Sequence, residues 1–220
     1  MILEHGGVTV NFFQTFPRDY KRIGLHLSGG ADSALILYLL VKMIQERKDN
    51  DVLIYPITGY DVSTPAISNY IAAENVINWI QDKTNYNLIQ PLIVAPYTNK
   101  DDTKDDMIRS TRNYLAQRYG CEVVLDGTSL GMPNYPRAGP VGYQWVDDEQ
   151  IRGLSIKYPH LFPWATVTKQ FIAAQYKKFG IEELSMITNS CINNSVEPCR
   201  ECWWCQERYW AFGSYDGGIQ

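Results

Sequence analysis

Short apolar runs alternate with segments of helical periodicity through the first part of the chain, and this alternation limits the fold more than any other feature. Runs rich in branched and aromatic side chains are typical of strands covered on both faces. Four of them occur in order: IGLHL, VLIYPIT, PLIVAPY and CEVVLDG. Strands separated by helices in this way predict an α/β fold with a doubly wound parallel sheet, in which ligands bind beyond the carboxyl ends of the strands.

Helical signals fill the gaps between these runs. Apolar residues from Ser33 to Arg47 recur every three to four positions, which places them on one helical face. A second pattern predicts a helix from Val167 to Phe179, which ends at Gly180 and has two lysines in its final turn. Two other helices are predicted, one from Pro65 onward and one from Asp101 to about Tyr119.

The segment from Gly127 to Pro163 differs from the rest of the chain. It is dense in Gly, Pro and aromatic residues, which is too irregular for strands or helices and too aromatic for a disordered linker. We therefore expect ordered loops that face the substrate.

Charge and composition exclude some classes of function. The 220 residues carry a formal net charge of -4, so no global basic field favours binding to long nucleic acid. No run of eighteen apolar residues and no secretory signal pattern occur, so a soluble, cytoplasmic protein without a membrane partner is expected.

The segment SGGADS, from Ser28 to Ser33, lies between the first predicted strand and its helix. Free backbone N–H groups and the helix dipole at such a junction can hold an anion, and the two serine hydroxyls can donate to phosphate oxygens. Asp32 would repel phosphate unless a magnesium ion intervened. The alternative is a plain turn in which Asp32 or Ser33 caps the helix. A Walker-type loop is excluded, because its lysine is absent.

These six residues resemble the fingerprint of the PP-loop ATP pyrophosphatase superfamily, SGGxDS after the first strand of an adenine-nucleotide α-hydrolase fold, which is Rossmann-like. The resemblance implies an enzyme that uses ATP and Mg²⁺ to attach AMP to a substrate oxygen, with release of pyrophosphate. It implies that the nucleotide lies on Leu27, Ser28, Gly29, Gly30, Ala31, Asp32 and Ser33. Asp32, Arg112 and Lys169 are the candidate catalytic residues, since long basic side chains near helix starts can reach the nucleotide.

Four of the five cysteines crowd into the last thirty residues with the spacing C-x7-C-x2-C-x2-C. Thiolates at two-residue gaps can converge on one tetrahedral ion, so a closed structural Zn²⁺ site is predicted. A disulfide pairing and an iron–sulfur cluster are the competing interpretations. The ligands are Cys191, Cys199, Cys202 and Cys205, whereas Cys121 is expected to be a buried inert thiol.

Together the two signals resemble the 7-cyano-7-deazaguanine synthase family of queuosine biosynthesis. The stretch FPWATVTKQFIAAQYKKFGIEELSMITNSC, the Arg112–Asn113 pair and LDGTS carry this resemblance. It implies a C–N ligase that adenylates 7-carboxy-7-deazaguanine, adds ammonia and uses a second ATP to form the nitrile. It also implies a PP-loop ATP-binding domain over 1–165, with substrate loops at 127–163, and a helical segment with the zinc site over 166–220. A homodimer is compatible with it.

Two loops depart from that family's pattern. The chain has TGYDVSTPA where the family has a basic pair, and NYPRAG keeps Tyr135 but replaces an acidic residue with Arg137. Tyr135 and Arg137 are the candidate substrate residues, and an arginine suits an anionic group. Three alternatives stay open: a divergent ligase for another carboxylate, viral or defence-associated; a nucleotide-binding module without turnover; and a sulfur-transfer enzyme.

Overall fold

The computed structural model describes residues 1–12, 20–61, 67–97, 114–132, 160–191 and 197–217. Arg112, Tyr135 and Arg137 lie outside these ranges, as does most of the predicted loop segment. The chain begins with an antiparallel hairpin, β1 (Ile2–His5) and β2 (Val8–Asn11), which the apolar pattern did not predict. Gly6 and Gly7 both have positive φ at its turn.

A five-stranded parallel sheet confirms the predicted α/β fold. Its strands, in chain order, are β3 (Arg22–His26), β4 (Leu53–Asp61), β5 (Ile93–Tyr97), β6 (Val123–Asp126) and β7 (His160–Leu161). The spatial order is β5-β4-β3-β6-β7, so the direction of winding reverses between β3 and β6. In open α/β sheets such a reversal leaves a crevice at the carboxyl ends of the two central strands.

β7 corrects the expectation that the segment from Gly127 to Pro163 has no regular elements. His160 and Leu161 pair with Val124 and Leu125 of β6 and extend the sheet by one strand. Two residues are too few to show a strand period in a sequence, so only the neighbouring strand reveals this element.

Three helices lie at predicted positions with shifted ends: α1 (Ala31–Arg47), α2 (Ile67–Thr84) and α3 (Lys169–Phe179). Residues 114–119, the end of the helix predicted from Asp101, are also helical, and 101–113 lie outside the described residues. Two further helices, α4 (Glu182–Met186) and α5 (Trp203–Phe212), were not predicted. α1 begins at Ala31, two residues before its predicted start at Ser33. α3 begins at Lys169, two residues after its predicted start at Val167. Gly180 ends α3 with φ of 64°, as predicted. Within the ranges described above, none of these helices has the length and apolar character needed to cross a bilayer.

Apolar cores cover both faces of the sheet. On one face Ile23, Leu25 and Leu27 pack with α1, α2 and α3. On the other face Val124 and Cys121 pack with Leu115 of the 114–119 helix. Burial raises the pKa of the Cys121 thiol to about 12, in keeping with the predicted inert role. The doubly wound arrangement fixes the ends of β3 and β6 as the edge at which a ligand can bind.

Candidate active site and four-cysteine centre

The loop between β3 and α1 lies at this carboxyl edge. Leu27 continues β3, since its N–H donates to the carbonyl of Ile57 at 2.8 Å. Gly30 is the N-cap of α1, and no side-chain hydrogen bond caps that helix. The alternative in which Asp32 or Ser33 merely caps the helix is therefore wrong. The first-turn N–H groups of α1 remain available to an anion.

The two serine hydroxyls of the loop are already oriented. Ser28 Oγ lies 3.2 Å from Ser33 Oγ, and Ser33 Oγ also donates to the carbonyl of Gly30 at 3.2 Å. Ser28 is exposed, whereas Ser33 is buried beneath it. The pair can offer a hydroxyl donor at the mouth of the loop without a rearrangement of the backbone.

Two glycines let other parts of the backbone approach the loop closely. Gly29 has φ of +79°, and a Cβ at this residue would lie 2.3 Å from the carbonyl oxygen of Asn69. A Cβ at Gly127, directly after β6, would lie 2.7 Å from the backbone nitrogen of Ser33. The loops that follow β3 and β6 therefore touch at the crevice, and no larger residue fits at either position.

Asp32 is the charged residue of the loop and is held from several sides. Ser129 Oγ donates to Asp32 Oδ2 at 3.0 Å, and Trp164 Nε1 donates to the Asp32 carbonyl at 3.0 Å. The other carboxylate oxygen, Oδ1, is buried and accepts no hydrogen bond from any described residue. A buried carboxylate oxygen without a partner is costly, so this atom fits the place of a cation ligand.

Lys169, the first residue of α3, lies beside the loop. Its Nζ lies 3.5 Å from Asp32 Oδ2 and 3.0 Å from Glu207 Oε2, and its side chain is only 7% exposed. Burial alone would lower the pKa of Lys169, but the carboxylates of Asp32 and Glu207 outweigh it and hold the pKa above its ordinary value. The ammonium is thus a fixed positive charge beside the loop.

A second buried polar pair lies at the same edge. His26 Nδ1, at the end of β3, is 3.3 Å from Asp126 Oδ2 at the end of β6. Burial alone would raise the pKa of Asp126, but hydrogen bonding from His26 and Thr128 outweighs it and keeps that pKa well below its ordinary range. The Thr128 N–H donates to Asp126 Oδ1 at 2.9 Å. Asp126 therefore ties the two central strand ends together as a carboxylate.

The four cysteines of the C-terminal segment converge. Their Sγ atoms all lie within 4.8 Å of one another, and those of Cys199 and Cys205 are 3.9 Å apart. A disulfide needs a sulfur–sulfur distance of about 2.05 Å, and all five cysteines are free thiols. Four thiolates at about 2.3 Å from one tetrahedral ion stand about 3.8 Å apart. The cluster fits a single ion better than an iron–sulfur cluster, whose thiolates bind separate irons and stand farther apart.

Backbone N–H groups help the Cys199 thiol to ionise, whereas burial raises the pKa of Cys205. The Cys199 N–H points to Cys191 Sγ at 3.4 Å, and the Cys202 N–H points to Cys199 Sγ at 3.3 Å. Hydrogen bonds from the backbone of Cys202 and Glu201 lower the pKa of Cys199 to about 6. Cys191 and Cys205 are buried, while Cys199 and Cys202 are partly exposed. The centre can accept a metal ion without opening the core.

The structure thus brings together Lys169, Asp32 and the loop, and separately the four cysteines. Sequence reasoning missed Glu207, Ser129, Trp164 and the His26–Asp126 pair. His26 stood out only as a residue on the first strand. Glu207 had no signal beyond its position two residues after Cys205.

A groove of about 420 Å³ lies elsewhere, along the later turns of α1. Tyr38, Lys42, Trp79, Lys83 and Phe179 are among the residues that line it. Lys42 is eleven residues from the start of α1, or about 16 Å at 1.5 Å per residue. This groove is therefore separate from the loop after β3.

The fold and the site define the class of this chain. It is an α/β protein with a parallel sheet, a glycine-containing loop where the strand order reverses, and a centre of four cysteines. No family model matches the chain, and no curated protein matches it. Among solved structures the chain is similar to the U34-tRNA thiolase NcsA from Methanococcus maripaludis with its [4Fe-4S] cluster, at 15% identity and a TM-score of 0.48. The similarity covers 77% of this chain and 61% of that one. At this level of similarity, the chemistry has to be inferred from the chain's own residues.

Proposed function

We propose that this chain is an ATP-dependent enzyme that adenylates the carboxylate of a small molecule and then joins a nitrogen to it. One observation carries the proposal: a helix start that no described side chain caps, two oriented hydroxyls and the Asp32–Lys169 ion pair meet at the point where the strand order of the sheet reverses. An anion, a divalent cation and a developing negative charge can all be accommodated there. SGGADS resembles the PP-loop fingerprint at this same place.

In the first step, a substrate carboxylate oxygen attacks the α-phosphorus of ATP, and the bond to pyrophosphate breaks. The loop N–H groups and the hydroxyls of Ser28 and Ser33 hold the phosphates in line for this attack. Lys169 carries a fixed positive charge against the negative charge that builds up. Magnesium bound at Asp32 would neutralise charge on the departing pyrophosphate.

In the second step, a nitrogen nucleophile attacks the acyl carbon, the bond to AMP breaks, and the nitrogen loses a proton. We propose ammonia as the nucleophile and 7-carboxy-7-deazaguanine as the substrate, on the resemblance of the C-terminal stretch. Arg112, Tyr135 and Arg137, which lie outside the described residues, are proposed to contact nucleotide or substrate. A divergent ligase for another carboxylate is the second candidate, because Arg137 replaces an acidic residue.

The four-cysteine centre is proposed to be structural. Zinc held by four thiolates supplies folding free energy and leaves no open position for a substrate. We propose the cytoplasm as the compartment, because free thiols persist in a reducing environment. A sulfur-transfer reaction that uses an enzyme thiol is not favoured, since Cys121 is the remaining cysteine and its buried thiol has a raised pKa.

Product analysis tests the proposal. Incubation with Mg²⁺, ATP, ammonium and 7-carboxy-7-deazaguanine should give AMP, pyrophosphate and an amide or nitrile detected by mass. Asp32→Asn should lower pyrophosphate release about 10²- to 10³-fold, as expected for the loss of one charged group at the reacting centre. Asp82→Asn, at an exposed position of α2, is the matched control and should not change the rate.

Other results separate the alternatives. If products form only from a different carboxylate, the proposed adenylation stands and 7-carboxy-7-deazaguanine is replaced as the substrate. ATP binding without pyrophosphate release, over a panel of carboxylates, would identify a nucleotide-binding module. Failure to bind ATP at all would overturn the proposal.

A further inference from the structure

Three charged side chains from distant parts of the chain, two buried and one partly exposed, meet beside the SGGADS loop. They are Asp32 of α1, Lys169 of α3 and Glu207 of α5. The shorter contact of the Lys169 ammonium is with Glu207 Oε2 at 3.0 Å, a hydrogen bond, whereas Asp32 Oδ2 is 3.5 Å away. Glu207 is even more buried than Lys169, with a side chain only 4% exposed. The principal partner of this lysine is thus on the C-terminal helix and not on the loop.

Sharing the ammonium changes what Asp32 can do. A lysine with a single carboxylate partner would close on Asp32 and neutralise it. With Glu207 as its nearer partner, the three side chains keep a net charge of -1, from two carboxylates and one ammonium. Asp32 Oδ1 accepts no hydrogen bond from the described residues, and Ser129 holds Oδ2. The geometry therefore presents one carboxylate oxygen, with residual negative charge behind it, to a divalent cation.

The four-cysteine centre sets the position of Glu207. α5 begins at Trp203, directly after Cys202, and contains Cys205 in its first turn. Residues two apart on a helix point about 200° away from each other. Cys205 thus faces the other three thiols, and Glu207 faces Lys169 from the opposite side. Among the described residues no side-chain hydrogen bond caps α5. Its first turn is held by Cys202 and Cys205 and by the Gln206 side chain, which donates to the Arg200 carbonyl.

A second contact joins the same centre to the loop. The N–H of Asn189 donates to the carbonyl of Gly29 at 2.9 Å. Its side-chain Nδ2 donates to Asn69 Oδ1 at 2.6 Å and to the Cys191 carbonyl at 2.8 Å. Asn189 lies two residues before Cys191, just as Glu207 lies two residues after Cys205. The first ligand of the centre is thus preceded by a residue that contacts the loop, and the last ligand is followed, at the same two-residue interval, by a residue that contacts Lys169.

We infer that Glu207 is a positioning residue, through which the four-cysteine centre holds Lys169 at the Oδ2 side of Asp32, 3.5 Å away, and leaves Asp32 Oδ1 open to the cation of metal-bound ATP. This rests on the proposed function, because it assigns the loop to ATP. Loss of the bound ion loosens the first turn of α5, the Glu207 contact weakens, and Lys169 moves closer to Asp32 than the present 3.5 Å. The affinity for ATP then falls only where a divalent cation contributes to it.

Glu207→Gln tests this directly, since the amide keeps the size of the side chain and removes its charge. Calorimetric titration of the metal-loaded protein should show Mg·ATP binding weakened about tenfold, the usual scale for loss of an outer partner of a metal ligand. In a buffer that contains neither Mg²⁺ nor EDTA, the affinity of Glu207→Gln for ATP should differ from that of the wild type by less than about threefold. A purely structural role would weaken both alike. Glu207→Asp, which restores the charge, should recover part of the affinity for Mg·ATP.

Glu201→Gln is the matched control, because Glu201 also lies among the cysteines but is exposed. It should bind Mg·ATP as the wild type does. Circular dichroism and zinc content verify that each variant is folded and loaded before titration.

Metal removal supplies a readout that needs no ATP. Chelation of the ion from the wild type should increase amide hydrogen exchange over residues 27–36, the loop and the first turns of α1. Chelation should lower the Mg·ATP affinity of Glu207→Gln by a smaller factor than that of the wild type, because the contact between Glu207 and Lys169 is already lost in the variant. Equal Mg·ATP affinity in wild type and Glu207→Gln would overturn the inference. Absence of ATP binding in the wild type would overturn the proposed function instead.

Discussion

The SGGADS loop between β3 and α1 and the four-cysteine centre are built in opposite ways. The loop consists of six consecutive residues, Ser28–Ser33, and the groups it offers to an anion are backbone N–H groups at a helix start that no described side chain caps. The centre consists of side chains from two stretches of chain, and its thiols face one another. An open set of donors suits a ligand that enters and leaves, whereas four converging thiols suit a resident ion. On the proposed function, one protein thus separates a site for turnover from a site for stability.

Removal of one thiol is the strongest test of this contrast. Cys205→Ser takes away a buried ligand of the centre, so the protein should lose its bound metal and unfold at a temperature lower by 10 °C or more. Structural zinc contributes apparent binding free energies of about 10–16 kcal/mol in small domains, which is folding free energy. Elemental analysis and thermal unfolding measure the two effects.

Cys121→Ser is the control for that experiment. Cys121 is buried at the foot of β6, away from the cluster. The variant should keep its full metal content. Equal metal content in Cys205→Ser and the wild type would show that the cluster is not the metal site.

Gly29→Ala tests whether the loop depends on backbone geometry. The new Cβ would lie 2.3 Å from Asn69 O, and φ of +79° is unfavourable for alanine. A loss of about 3 kcal/mol in the free energy of unfolding is expected, together with loss of ATP binding. Urea titration measures the first effect and calorimetry the second.

Gly180→Ala separates clash from backbone strain. Gly180 also has positive φ, +64°, but no atom lies within 4 Å of its Cβ position. Its replacement should cost only about 1 kcal/mol and leave ATP affinity unchanged. Similar costs at both glycines would contradict the close approach at the loop.

Asp126→Asn asks whether the carboxyl edge next to the loop contributes stability as well as binding. The pKa of Asp126 is held well below its ordinary range, so its charged form stabilises the fold above the unfolded pKa near 4. That contribution is lost as the pH falls through the folded pKa. The variant should be about 2 kcal/mol less stable at pH 7, and the difference should shrink below about pH 4. Unfolding curves over this pH range check the sign.

The smallest effect is expected in the groove beside α1. Lys83 lies 3.3 Å from Glu183 and 5.4 Å from the Trp79 ring centroid. Lys83→Ala should change ATP affinity by less than about twofold, as is usual for surface positions outside a site. A tenfold loss would move the nucleotide from the loop to the groove.

The same contrast explains what could be predicted from sequence. SGGADS and the cysteine spacing are local patterns, and the four apolar runs give the order of the four longer strands. Glu207 and Lys169 are 38 residues apart, and Ser129 and Asp32 are 97 residues apart. No local pattern encodes such pairs, because only the packing of α3 and α5 and the pairing of β3 with β6 bring them together. β7 was missed because two residues show no period.

The sheet order also has a consequence for assembly. β3 pairs with β4, which follows soon in the chain, and with β6, which is synthesised much later. Contacts of high sequence separation form slowly, because a long loop must close first. In a growing chain the SGGADS loop is therefore synthesised well before Lys169, Glu207 and the four cysteines. If the loop binds a nucleotide as proposed, a nascent molecule should therefore be able to bind it only after α3 and α5 have been synthesised and packed beside the loop.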